Sequence, residues 1–221
     1  MHRVSIVRSV NIATSTLVLP GHSRPTGIFK HPVDHAVHVD APGPRGIGAS
    51  GLVGDRVCNL KHHGGDDQAV YAYAREDLDW WQAELGKPLS DGSFGENLTT
   101  SGINVSQALV GEQWLVGGGL LLEVSDPRLP CRTFADALHE QGWLKRFTQR
   151  AAPGTYLRVL RAGEVRAGDR IVVVERPDHA VSVSVAFRAF TTEPELLGML
   201  AGVAALSAGV REKARRRGVA V

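Results

Sequence analysis

Cysteine is the residue this chain has least use for: there are two, Cys58 and Cys131, in 221 residues. Two thiols make no disulfide framework. No Cys-x-x-Cys occurs, and an iron–sulfur cluster takes four cysteines, or two with two histidines. The chain is therefore not expected to hold a cluster, and any electrons it uses must come from elsewhere. Charge of one sign is also lacking. Lys and Arg number 25 against 23 Asp and Glu, a formal balance of +2, so overall charge gives no argument for nucleic-acid binding. No apolar run approaches the roughly 18 residues of a membrane helix. The N-terminal MHRVSIVRSVNIA alternates and lacks the apolar centre of a secretory leader. The expected location is cytoplasmic.

What is present is ordinary for a soluble globular protein: 43% hydrophobic and 22% charged residues. The length suits one domain with an appendage, or two small domains. Glycine (25) and proline (11) punctuate short apolar runs, the pattern of a β-rich domain with many turns. Val4, Ile6, Val10 and Ile12 suggest a first strand. Residues 27–30, 36–39 and 69–73 read as further short strands. Leu78, Trp81 and Leu85 lie at helical spacing, so 75–85 reads as a helix that Gly86 and Pro88 stop. Residues 110–116 and 167–173 echo one another, each with a glycine and an acid before an alternating strand, while 120–124 and 155–160 are strands between them. Phe134 to Phe147 reads as a second helix interrupted by Gly142.

The composition shifts after Pro177. Val181, Val183 and Val185 alternate, then 193–206 and 210–217 read as helices, the first capped by Thr192 with Glu195 three residues on. The expected division is a β-rich domain at 1–177 and a small helical appendage at 178–221. The basic run 211–217 has no interleaved aromatics and reads as a solvated helix end.

Three segments carry chemistry. The first is Ser125-Asp-Pro-Arg-Leu-Pro-Cys-Arg-Thr133. Its two prolines stiffen the loop around Cys131. Arg128, Arg132 and a helix start capped by Thr133 would lower the thiol pKa, and a thiolate is a soft metal ligand. From this setting alone a metal ligand and a covalent nucleophile are not distinguished. The second is Lys61-His-His-Gly-Gly-Asp-Asp67. Adjacent histidines on extended backbone point to opposite sides and chelate poorly. The glycines permit close approach of a ligand or a tight turn, and Lys61 with Arg56 could pair a phosphate. The third is Phe94-Gly-Glu-Asn-Leu98, where Asn97 offers a donor and an acceptor to a heterocycle edge. Cys58, in Asp-Arg-Val-Cys-Asn-Leu, reads as a packing or solvent-facing residue.

These segments occur together in a recognisable order. Gly27-Ile-Phe-Lys-His-Pro-Val33, Leu52-Val-Gly-Asp-Arg56, His62 to Tyr73, Gly95-Glu-Asn-Leu98 and Asp126 to Cys131 resemble the MOSC domain. That domain takes its name from the C-terminal part of molybdenum cofactor sulfurases. The similarity is to its stand-alone bacterial YiiM-like branch, which ends in a three-helix extension, and it spans nearly the whole chain. The resemblance implies a mainly β (α+β), barrel-like fold with a few helices and a small helical appendage. It implies a molybdenum cofactor (molybdopterin) held partly by a cysteine, here Cys131. It implies reduction of N-hydroxylated compounds, among them hydroxylaminopurines and amidoximes, to amines, with electrons from a separate redox protein. Lys61, His62, Arg128, Arg132 and Arg146 are then candidates for the cofactor phosphate, with Arg56, and Asn97 and His63 for the pterin or substrate. Two departures stand out: Asp126 occupies a position where glutamine is expected, and Asp66 follows the glycine pair in place of proline. Asp126 would alter the charge near the metal. A non-catalytic carrier of cofactor or sulfur on Cys131, and a plain thiol enzyme activated by His62 or His63, stay open as alternatives.

Overall fold

The computed structural model describes residues 4–218. The first three residues of the N-terminal segment and the last three of the helical appendage lie outside that range. Twelve strands run in chain order as β1 (Ile6–Ile12), β2 (Leu17–Val18), β3 (Pro25–Thr26), β4 (His31–Val33), β5 (Val37–Val39), β6 (Val70–Ala74), β7 (Leu98–Ser101), β8 (Gln113–Val116), β9 (Leu120–Pro127), β10 (Thr155–Arg161), β11 (Gly163–Val165) and β12 (Ile171–Glu175). The helices are α1 (Arg75–Leu85), α2 (Arg132–Leu138), α3 (Trp143–Arg150), α4 (Val183–Thr191), α5 (Leu197–Leu200) and α6 (Ala208–Gly218).

Eight strands form one sheet in the order β12-β8-β9-β10-β6-β7-β1-β4. All its neighbours are antiparallel except β6 and β7, which are parallel. Parallel neighbours need a crossover, and α1 lies within the connection between them. The class is mainly β, as expected, but the sheet is not a closed barrel. The segment leading into the edge strand β12 meets β1, the strand next to the other edge, at an isolated bridge between Ile6 and Arg170. There Val7 donates to Asp169 and Ile171 to Ser5, each at 2.8 Å. Two short pairs, β11 with β5 and β2 with β3, stand apart from it.

The buried faces of the strands and the C-terminal helices share one core. Val7, Val10, Leu98, Trp114, Leu122, Val124 and Leu157 pack in it with Val183, Ala186, Leu197 and Leu200. A second cluster is aromatic. Trp81, Phe94, Phe134, Trp143, Phe147 and Phe187 join α1, α2, α3 and α4 to Tyr71 and Tyr73 of β6. Phe134 and Phe147 meet edge to face at 5.2 Å, an arrangement favoured by the ring quadrupoles.

Several expected elements differ, for local reasons. Residues 27–30 form no strand; they link β3 to β4. The helix expected over 134–147 is two helices, broken at Gly142, whose φ of 68° lies in the left-handed region. Cys131, not Thr133, is the residue that precedes α2. Val183 and Val185 are not in a strand: Ser182 caps α4 by accepting the Val185 amide at 3.2 Å. Thr192 ends that helix instead of starting the next. The span 193–206 contains only a 3-10 turn at Pro194–Leu196 and the short α5. Among the described residues no helix is long and apolar enough to cross a membrane.

Candidate functional site

A cavity of about 270 Å³ opens beside the end of β9. Cys131 sits in its wall, half-buried, with extended backbone (φ −132°, ψ 166°). Its loop is held by Arg128. The buried Arg128 guanidinium lies 3.8 Å over the Phe134 ring and 4.9 Å over Tyr71, and it donates to the Phe94 carbonyl. One side chain thus ties the cysteine loop to α2, β6 and the 92–96 turn. Such a stacked, planar contact suits arginine and not lysine. The turn itself is organised by Glu96, fully buried, which accepts the amides of Gly92 (2.6 Å) and Phe94 (2.9 Å). Burial pushes the Glu96 carboxyl up.

The opposite wall is built around Lys30. Its ammonium pairs with Asp55, whose side chain is fully shielded from solvent. Asp55 also accepts the Ala13 amide at 2.8 Å and the Asn97 side chain at 2.9 Å. Burial lowers the Lys30 pKa, partly opposed by Asp55. Asn97 lines the cavity, but its amide is spent on the protein. Its Oδ1 accepts the Tyr71 amide at 3.1 Å, and its Nδ2 reaches Asp55 and the Asn11 carbonyl. It positions Asp55 and Lys30; the expected heterocycle contact would have to share these groups.

Of the nine residues expected at the site, Cys131, Arg56, His63, Asn97 and Arg128 line this cavity. Lys61 and His62 are exposed next to it, not in its lining. Arg132 turns to Asp136 at 3.2 Å and toward the Gly21 carbonyl. Arg146 lies in a different surface hollow with Trp80 and Trp81, where it pairs with Glu84 and Glu140. Asp126, expected to alter charge at the metal, is not in the lining. Its buried carboxylate accepts the Ser207 amide at 3.0 Å instead. The glycine pair serves the fold as well: Gly64 and Gly65 have φ near +80°, and a Cβ on them would stand 2.5 Å from the Ala49 carbonyl and 2.7 Å from Arg45. The close approach there is of the chain to itself.

Among the lining residues not legible as site residues are Arg24, Lys30, Cys58 and Gln68. Burial pushes the Cys58 thiol up. His63 has its pKa lowered to about 4, by burial first and then by the charges of Arg128, His62 and Arg45, so its ring is neutral at pH 7. The lining therefore holds four basic side chains, Arg24, Lys30, Arg56 and Arg128, of which Lys30 is paired with Asp55 behind it, and no carboxylate. One wall also carries an orphan: Gln68 Oε1 is buried without a hydrogen-bond partner. Among the described residues no group of three or more His, Cys, Asp or Glu is placed to hold a metal ion. A metal here would have to arrive with ligands of its own.

The arrangement defines a cavity lined by basic side chains and thiols on a mainly antiparallel β scaffold. Comparison with known proteins supplies the family. The MOSC domain profile matches residues 59–172, and the chain belongs to the MOSC domain family, a domain associated with the molybdenum cofactor. "Uncharacterized protein YflK" of Bacillus subtilis is 32% identical over 183 residues, which is 82% of this chain and 79% of that one. A protein named "Reductase" from Gibberella moniliformis is 34% identical over 139 residues, 61% of this chain but 24% of that protein. Among solved structures, YiiM from Geobacillus stearothermophilus superposes with a TM-score of 0.77 and 28% identity, covering 96% of this chain and 98% of that one.

Proposed function

We propose that the protein is a molybdenum-cofactor-dependent reductase that converts N-hydroxylated compounds, such as hydroxylaminopurines, amidoximes and hydroxylamines, to amines. The observation that carries this is the cavity itself: the Cys131 thiol in a wall that also presents four basic side chains and no carboxylate. A pterin cofactor with dithiolene sulfurs and a phosphate brings an anion and a soft metal together. The residues fit that group, and the unpartnered Gln68 Oε1 offers an acceptor for an N–H of a bound heterocycle. The bound cofactor would supply two electrons to the N–OH group; R–NHOH, two electrons and two protons give R–NH2 and water.

The chain's own part is binding and orientation. Cys131 provides the thiolate ligand. Arg24, Arg56 and Lys30 line the cavity and would hold the phosphate, and Asp55 with Asn97 fixes the Lys30 ammonium in place. Arg128 keeps the cysteine loop in one conformation. The rings of Tyr71 and Tyr156, 5.2 Å apart, form an apolar flank for a flat substrate or pterin. Electrons come from a separate redox protein. The test is Cys131→Ser in protein made in a host that synthesises the cofactor. Molybdenum per chain is measured by elemental mass spectrometry, and hydroxylamine reduction with a reduced viologen. Both should fall to background. Retained metal and turnover would remove Cys131 from the mechanism, and wild-type protein that holds molybdenum but reduces no N-hydroxylated substrate would be a carrier.

A further inference from the structure

The loop 43–49 packs on Gly64 and Gly65, at the edge of the cavity. Arg45 of that loop is exposed and donates to the His62 carbonyl at 2.7 Å. Lys61 and His62 are exposed beside it, and Arg24 and Arg56 stand at the cavity itself, also exposed. Among the described residues none of Arg24, Arg45, Arg56 and Lys61 forms a salt bridge. Of the nearby carboxylates, Asp66 accepts the Gly43 amide at the start of the loop and Asp67 pairs with Arg158, so neither pairs with these cations. The same loop carries Ile47, 78% exposed, the most exposed large hydrophobic side chain described. An apolar anchor within unpaired cations is the composition of a protein-docking patch. A nucleic-acid surface would want aromatic platforms in place of the isoleucine.

We infer that this rim, Arg45, Ile47 and Lys61, docks the electron-donor protein, and that the donor presents a carboxylate-rich face around its redox group. The inference rests on the reductase reading. Electron tunnelling decays exponentially with distance, so a donor must place its redox group at the mouth of the cavity that holds Cys131. The rim is the protein surface there, and its charge sets the sign of the partner.

The experiment uses the intact protein and a small acidic ferredoxin as probe. Binding is measured calorimetrically without turnover, from about 20 to about 300 mM salt, a range over which surface charges become screened. Affinity should fall with salt. Arg45→Glu should weaken binding about five- to tenfold, Arg45→Lys should restore it, and Ile47→Ser should weaken it without changing the salt slope. In turnover, Arg45→Glu should lower ferredoxin-driven kcat/KM and leave the viologen-driven rate unchanged. Salt-independent binding, an indifferent Arg45→Glu, or a duplex oligonucleotide that displaces the ferredoxin would overturn the inference. Absence of viologen-driven reduction in the wild type would instead sink the reductase reading, and the binding arm would still decide whether the rim docks an acidic protein.

Discussion

Replacing Asp126 with asparagine should stabilise the protein at alkaline pH and leave it unchanged at acid pH. Asp126 is 2% exposed and makes its recorded contact with the Ser207 amide at 3.0 Å. Burial raises its pKa from the ordinary 3.8 to about 6; the Ser207 hydrogen bonds and Arg158 act in the opposite direction, and Asp67 adds to the rise. Below about pH 3 the carboxyl is protonated whether the chain is folded or unfolded, and well above pH 6 it is ionised in both. In between, the folded state holds the proton more tightly. The stability conferred by the protonated form is thus full at low pH and lost as pH rises through about 6. A change from 3.8 to about 6 corresponds to about 3 kcal/mol, at about 1.4 kcal/mol per pH unit. Asparagine keeps the oxygen that accepts the Ser207 amide and never ionises. It should therefore gain about 2–3 kcal/mol over wild type at pH about 8, about 1 kcal/mol at pH about 4.5, and nothing below about pH 3. Urea unfolding followed by tryptophan fluorescence at about five pH values measures this as a shift of midpoint at constant m. A difference that does not vary with pH, or a variant weaker than wild type at pH 8, would refute the assignment of a desolvated carboxylate.

Two further substitutions probe the site from different sides. His63→Gln should flatten the acid limb of stability: with a folded pKa of about 4 against an ordinary 6.5, His63 contributes stability that is present above 6.5 and lost as pH falls toward 4. Discounted for partial exposure, about 1–2 kcal/mol should separate wild type and variant across that interval, read from Tm against pH; parallel curves would exclude it. Asp55→Ala strands the Lys30 ammonium and two donors in a shielded setting, and should cost about 3–5 kcal/mol. Adding Lys30→Met should recover much of that loss, whereas additive losses in the double-mutant cycle would show that the two side chains do not depend on one another.

Much of the scaffold was written in local periodicity. The helix Arg75–Leu85 matches its expected limits because Leu78, Trp81 and Leu85 mark one face and Gly86 takes the left-handed conformation that ends it. The valines at 181, 183 and 185 misled because they satisfy a period of two, while Val183, Ala186, Phe187 and Phe190 satisfy i, i+3, i+4 and i+7. The longer pattern prevailed once Ser182 was in place to cap it. Among site residues, Cys131 and Arg128 were legible because prolines and arginines surround the thiol within a few positions. Lys30 was not: its partner Asp55 is 25 positions away, and neither residue is unusual in its own segment. Cys58 was read as a packing or solvent-facing residue because nothing in its own segment marks it, yet it lines the cavity.

Asp126 teaches the opposite lesson, because the sequence held the answer and chain proximity to Cys131 concealed it. In β9 the buried side chains at Leu120, Leu122 and Val124 define the inward parity, and Asp126 is the next residue of that parity. Alternation alone therefore sends its carboxylate to the core face with the leucines. There the first available donor is the Ser207 amide that precedes α6. A charge at this position acts on the attachment of the last helix and on stability, and only through the backbone of β9 on the loop that carries Cys131. Substitution at 126 should thus move the unfolding curve far more than it moves molybdenum content, and the two measurements made on one Asp126→Asn preparation separate those effects.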